Sequence, residues 1–133
     1  MPNIAQVMRK DLKKIPHDAS VRDAAKRMRD ERIGSLFVEK GNKLVGIVTD
    51  TDVVRRAVAE GSDLNKVTVQ SIMTTPIVSI ESVRTAQDAH DMMGDLGIRH
   101  LGVTEGGRLV GLVSVRDLLV YFKRVSEPRI TQD

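Results

Sequence analysis

The sequence contains no cysteine, and its aromatic side chains amount to 2% of the chain: Phe37, Tyr121 and Phe122. Each scarcity closes off a class of protein. Without cysteine there are no disulfides and no thiolate metal sites, and the composition suits a reducing compartment, so a cytoplasmic location is expected. With three aromatics the core must be built from Val, Ile, Leu, Met and Ala. A stacking platform for single-stranded bases is missing, which argues against nucleic acid as a partner. No stretch approaches the roughly 18 consecutive apolar residues of a membrane span, and Met1-Pro2-Asn3-Ile4 lacks the basic-then-apolar order of a signal peptide, so no membrane partner is expected.

Catalytic sets are equally scarce. The three histidines, His17, His90 and His100, have no metal-ligand spacing, and there is no Gly-x-Ser-x-Gly elbow, no P-loop and no Gly-x-Gly-x-x-Gly. His17 precedes a helix start and His90 falls on the polar side of a helix, so both read as solvated. No catalytic residue and no metal site is expected, and the chain does not read as an enzyme.

What is present is the mixture of a globular domain, 41% hydrophobic and 29% charged. The 21 basic and 18 acidic residues give a net charge of +3 with both signs interspersed, a solvated surface rather than a polyanion-binding face. A chain of this length buries roughly two-thirds of its unfolded surface, enough for a sizeable core.

The main organisational fact is a repeat. Shifted by 65 residues, the chain matches itself without a gap from Ile4/Val69 to Val54/Leu119, with identities such as Met8/Met73, Ala24/Ala89, Met28/Met93, Gly46/Gly111 and Asp52/Asp117. Ser20 with Asp23, and Thr85 with Asp88, form capping boxes. Val21, Ala24, Ala25 and Met28 follow the first at helical spacing; Ala89, Met92, Met93 and Leu96 follow the second and end at Gly97. Leu36–Glu39 and Leu44–Val48, joined at Lys40-Gly41-Asn42, read as a hairpin, as do Leu101–Thr104 and Leu109–Val113 around Glu105-Gly106-Gly107. The apolar runs lack clean alternation, so the strands are expected to be buried on both faces. Second helices are expected to begin near Asp52 and Asp117, carrying Val53, Val54, Ala57 and Val58, closed by Gly61, or Leu118, Leu119 and Phe122. Short extended pieces at Leu12–Ile15 and Ile77–Ile80 precede the first helices.

The expected fold is α+β: two β-α-β-β-α repeats packed through their sheets with pseudo-two-fold symmetry. The bounds are 1–61 for the first repeat, 62–66 for a linker, 67–125 for the second repeat and 126–133 for a flexible, polar tail that contains Pro128.

Each repeat also ends its last strand in Gly-apolar-Val-Thr/Ser-x-x-Asp: Gly46-Ile47-Val48-Thr49-Asp50-Thr51-Asp52 and Gly111-Leu112-Val113-Ser114-Val115-Arg116-Asp117. A carboxylate can accept two hydrogen bonds from a vicinal diol such as a ribose, the hydroxyl three residues earlier can donate, and Gly admits a ligand to the backbone. Asp after a strand is also a common helix N-cap, and duplication does not choose between the two uses.

Residues 4 to about 124 resemble a tandem pair of CBS (cystathionine-β-synthase) domains, a stand-alone Bateman module. The resemblance rests on Met-Thr-Thr-Pro-Ile at 73–77, Ala-x-x-x-Met at 24–28, Ile-Arg-His-Leu at 98–101 and the two Thr/Ser-x-x-Asp ends. It implies an adenosine-containing ligand, chiefly AMP, ADP or ATP, with S-adenosylmethionine or NAD-type ligands as further candidates, and often a disc-like homodimer. By that resemblance a first, preferred cleft collects Ile47, Thr49, Asp52, Thr75, Ile80, Ile98, Arg99, His100 and Arg116. A second collects Lys10, Ile15, Ile33, Gly34, Ser35, Leu112, Ser114 and Asp117. Arg99, His100 and Arg116 suit phosphate, whereas the equivalent repeat positions hold Gly34, Ser35 and Thr51, so the second cleft is expected to be weaker, empty or selective for a less charged ligand. The sequence departs from the family at Arg9-Lys10-Asp11, where the second repeat has the commoner Thr-Thr-Pro, and at Phe37 and Gly102, where many members have Pro. The implied function is a regulatory nucleotide sensor acting on a separate effector protein; the alternative is a constitutive homodimeric association module with unused clefts.

Overall fold

The computed structural model describes residues 3–131, and side chains as far as Ser126. It is a mixed α+β structure with two three-stranded sheets. The chain divides into two compact units, Leu12–Ile77 and Met1–Asp11 with Val78–Asp133, called here the Asp52 unit and the Asp117 unit.

In the Asp52 unit the order is β1 (Lys14–Pro16), α1 (Val21–Glu31), β2 (Ser35–Lys40), β3 (Lys43–Thr49), α2 (Asp50–Asp52) running into a π-helical stretch Val53–Val58, and α3 (Val69–Ile72). β1 pairs parallel to β2, and β2 antiparallel to β3. In the Asp117 unit a 3-10 turn at Ile4–Gln6 accompanies β4 (Ser79–Glu81), α4 (Ala86–Leu96), β5 (His100–Glu105), β6 (Arg108–Ser114) and α5 (Val115–Thr131), with the same sheet order and the same strand directions. The first strand of each unit starts two residues later and ends one residue later than the sequence suggests, because only the residues in register with the neighbouring strand are held in the ladder.

Local chemistry explains most boundaries. Both hairpins close through two residues in the left-handed region, Gly41 and Asn42 at φ 58° and 64°, Gly106 and Gly107 at 57° and 78°. This is the type I′ geometry that matches strand twist. Thr85 and Asp88 form the expected reciprocal box at the start of α4. Ser20 makes half of one: its Oγ accepts from the Asp23 amide (3.0 Å), while the amides of Val21 and Arg22 donate to the carbonyls of Val67 and Leu64. The segment read as a linker thus caps α1. Asp63 tightens it by accepting from the Asn65 amide.

Helix C-termini differ between the repeats. Gly97 ends α4 at φ 66°, and its repeat equivalent, Arg32, ends α1 at φ 55°. A left-handed residue with a Cβ costs about 1–2 kcal/mol, of which a glycine returns part through its freer unfolded chain. Arg32→Gly is therefore expected to raise stability by about 0.5–1 kcal/mol, read as a higher urea midpoint; a lower midpoint would show that Arg32 is not strained.

Each unit has its own core. Ile15, Val21, Ala24, Met28, Leu36, Val38, Val48, Val53 and Ala57 pack with Val69 and Ile72. Ile80, Ala86, Ala89, Met93, Leu101, Val103, Val113 and Leu118 pack with Ile4. Repeat in sequence and unit in space are therefore offset: residues 67–77 complete the Asp52 unit, and residues 3–11 complete the Asp117 unit.

Four apolar positions on the predicted helices are exposed: Val54, Val58, Leu96 and Leu119. Bonds from the amides of Ala59 and Ser62 reach back five residues, to Val54 and Ala57. This widened spacing keeps Val53 and Ala57 on the inner face and turns Val54 and Val58 outward. Leu119 lies one residue, about 100°, round α5 from buried Leu118, and Leu96 is the last residue before the Gly97 turn. The tail expected over 126–133 is helical as far as Thr131. Residues 132 and 133 lie outside the described residues.

Candidate functional site

Strand β3 ends in extended Thr49, which N-caps α2: its Oγ1 accepts from the Asp52 amide at 3.2 Å. Asp52 is the third helical residue, not the cap, and closes a box by accepting at Oδ2 from the Thr49 amide (3.0 Å) and Thr49 Oγ1 (3.1 Å). The helix therefore begins at Asp50, two residues earlier than expected, because the hydroxyl rather than the carboxylate takes the capping position. Thr74 Oγ1 donates to Oδ1 at 3.3 Å, and Arg56 Nε stands 3.6 Å from the same oxygen. Arg56 also reaches the carbonyls of Ile72 and Met73, 3.4 and 3.3 Å away. Asp52 is 7% exposed; a carboxylate removed from water to this degree needs such donors.

β6 and α5 repeat the device. Ser114 donates to Asp117 Oδ2 from its amide (2.9 Å) and its Oγ (3.0 Å), and its Oγ accepts from the Asp117 amide. At Oδ1 the partner is Arg9, with Nε at 3.3 Å. Arg9 and Thr74 are equivalent under the 65-residue shift.

The glycine of each motif explains how these partners get there. An added Cβ on Gly46 would lie 2.9 Å from the Thr74 carbonyl oxygen, and one on Gly111 2.8 Å from that of Arg9. Gly46 and Gly111 thus admit the chain's own segment to the strand, where the sequence suggested a ligand. Reciprocal backbone bonds hold that segment, Ile47 with Thr74 and Leu112 with Arg9.

The other predicted residues separate by unit. The Asp52 unit holds Ile47, Thr49, Asp52 and Thr75 together with Ile15, Ile33, Gly34 and Ser35. Ser35 pairs with Thr49, and the Gly34 carbonyl accepts from the Asp50 amide; Thr75 Oγ1 donates to the Val45 carbonyl at 2.9 Å. The Asp117 unit holds Lys10, Leu112, Ser114 and Asp117 together with Ile80, Ile98, Arg99, His100 and Arg116. His100 pairs with Ser114, and the Arg99 carbonyl accepts from the Val115 amide at 2.9 Å, which gathers Arg99, His100 and Arg116 at one strand end. Ile15 and Ile80 are core residues, 3% and 7% exposed.

Thr74, Arg56 and Arg9 are the residues the sequence reading missed. Arg56 lies one helical turn after Asp52, a spacing that could have suggested the pair; Thr74 and Arg9 had only their mutual equivalence in the repeat as a signal. The two histidines read as solvated are engaged at the surface. His17 shares a hydrogen bond with Gln70 Oε1. A bond from His90, followed by one from Gln87, holds the exposed Asp91 carboxyl below its usual range. Among the described residues no group of three or more His, Asp or Glu could hold a metal ion, and no helix is long and apolar enough to cross a membrane.

Two β-α-β-β-α repeats, each ending its last strand in a hydroxyl-carboxylate box, define a duplicated module built twice on one plan. The CBS domain model matches residues 4–59 and again 69–124, and the chain belongs to that family. An uncharacterized protein of Methanopyrus kandleri is 31% identical over 120 residues, 88% of this chain and 61% of that protein's length. Among solved structures, a candidate signal-transduction protein with CBS domains from Burkholderia ambifaria superposes with a TM-score of 0.85 at 29% identity, covering 90% of this chain and 93% of that one. A hexameric CBS-CP12 protein from bloom-forming cyanobacteria gives 0.82 at 30% identity, covering 95% of this chain and 75% of that one.

Proposed function

We propose that the chain is a regulatory protein that binds an adenine nucleotide and acts through a separate effector protein, with no chemistry of its own. The observation that supports this best is the uneven charge of two otherwise matched strand ends. Arg99, His100 and Arg116 gather beside Ser114, where the equivalent positions beside Thr49 are Gly34, Ser35 and Thr51. Guanidinium groups bind phosphate oxygens in planar, bidentate fashion, and a buried carboxylate held by its own hydroxyl box is a fixed acceptor for a ribose diol. AMP, ADP and ATP fit that combination, with S-adenosylmethionine and NAD-type ligands next. By the family resemblance the phosphorylated ligand is the one that Asp52 grips.

Exposed Val54 and Val58 on the π-helical stretch, and Leu119 and Val120 on α5, favour self-association as a homodimer. They also support the second reading, an association module that leaves its ligand sites unused.

A thermal-unfolding panel with AMP, ADP, ATP, S-adenosylmethionine and NADH decides between the two. Ligand at 100 times its Kd adds about 2.7 kcal/mol to stability. At least one adenine nucleotide is expected to do so, Asp52→Asn to remove most of the effect and Asp117→Asn to leave most of it. The reverse order would move the phosphorylated ligand to Asp117. No shift with any ligand overturns the sensor and leaves the association module.

A further inference from the structure

The two aspartates share a chemistry but not a partner. In each, Oδ2 is occupied by the hydroxyl box, so Oδ1 is the oxygen with capacity for a ligand. Thr74 holds Oδ1 of Asp52 with a neutral hydroxyl at 3.3 Å, and Arg56 adds a looser contact. Arg9 holds Oδ1 of Asp117 with a guanidinium at the same distance, and the pair spans 108 residues of sequence. The backbone of Arg9 is not free to drift. Its amide donates to the Leu112 carbonyl at 2.8 Å, its carbonyl accepts from Leu112 at 2.9 Å, and Gly111 lets this pairing close.

We propose that Arg9 is a built-in counter-ion on Oδ1 of Asp117 that charge-gates this carboxylate, lowering its affinity for a neutral diol. The proposal rests on the reading that the two aspartates grip a ribose. A hydroxyl is both donor and acceptor, so Thr74 can turn to accept from an incoming diol and remain bonded. Arg9 has donors only, so it competes with a diol for the acceptor capacity of Oδ1 and offers the diol no acceptor in return. A neutral nucleoside offers the displaced guanidinium nothing in return. Because the Arg9 side chain is 48% exposed, water solvates the released cation, and the gate is modest: exposed ion pairs of this kind shift equilibria by no more than about fivefold.

Adenosine, which has the diol and no phosphate, is the probe, titrated calorimetrically into the full-length chain and its variants. Arg9→Thr, which copies the other repeat, is expected to tighten adenosine binding at the Asp117 site by about 2–5-fold at low salt. Asp117→Asn identifies which binding event belongs to that site. In the wild-type chain the same site is expected to tighten as NaCl rises towards about 1 M, where screening shortens to about 3 Å; in Arg9→Thr the affinity stays flat. Loss of packing alone would not produce that salt dependence. Arg9→Gln, which keeps a long side chain without the charge, carries the test should the threonine variant fold poorly. Equal or weaker binding by both variants, or salt dependence unchanged from wild type, overturns the role of Arg9 while leaving the nucleotide reading in place. No adenosine or AMP binding by any form of the protein overturns the nucleotide reading, and the role of Arg9 with it.

Discussion

Ile4→Ala is expected to lower stability by about 2–5 kcal/mol, and to do so in the unit made largely from the other repeat. Ile4 is wholly buried, at 0% exposure, in the core that contains Ile80, Ala89, Met93, Leu101, Val103 and Val113. Its amide donates to the Arg84 carbonyl at 2.8 Å. Removing three carbons from such a site loses their transfer free energy and leaves a cavity that a close-packed neighbourhood fills only in part. Ile72→Ala is the mirror experiment: Ile72 is 3% exposed and packs with Val21, Leu36 and Val48. Amide hydrogen exchange separates the two. Ile4→Ala should speed exchange along β5 and β6, and Ile72→Ala along β2 and β3. The opposite assignment would contradict the segment exchange, and equal acceleration everywhere would show that the two units open as one.

Gly46→Ala is expected to cost about 2–4 kcal/mol, an unusual penalty for adding one methyl group. The new Cβ would meet Met73 Sδ at 2.6 Å and the Thr74 carbonyl oxygen at 2.9 Å. The thioether can swing away. The carbonyl cannot, because it accepts from the Ile47 amide at 3.0 Å while the Thr74 amide donates back at 2.8 Å. Relief therefore breaks this bridge, worth about 1 kcal/mol per bond, on top of about 1–3 kcal/mol for overpacking. The entropy gained by restricting the unfolded chain returns only about half a kcal/mol. Gly94→Ala is the control: it lies inside α4, an added Cβ meets nothing within 4 Å, and Ala is the better helix former by about 1 kcal/mol. Urea titration should move the two midpoints in opposite directions. A neutral Gly46→Ala would show that the bridge to Thr74 is not held as described.

The Gly46 result also bears on the ligand site, since the same movement would draw Thr74 Oγ1 away from Asp52. The glycine, the bridge and the carboxylate form one device, in which a residue distant in sequence supplies the donor that a nearly buried aspartate requires.

The sequence by itself determined the repeat, the kind and order of the elements, the hairpin turns and the starts of α1 and α4. Each of these depends on residues within a few positions of one another: Thr85 and Asp88 are three apart, Gly41 and Asn42 adjacent, and Val21, Ala24 and Met28 within two helical turns. The Thr49–Asp52 and Ser114–Asp117 motifs were visible for the same reason, although that the hydroxyl caps the helix and the carboxylate closes a box on it was settled by geometry. Only the tertiary structure decided what stands on the outer oxygen of each aspartate. Thr74 is 22 residues from Asp52, and Arg9 is 108 from Asp117; no periodicity links such pairs, and they meet because residues 3–11 and 67–77 each pack against the core of the other repeat. That exchange, made possible where a glycine leaves room for a second backbone, brings a threonine hydroxyl to one copy of the motif and a guanidinium to the other.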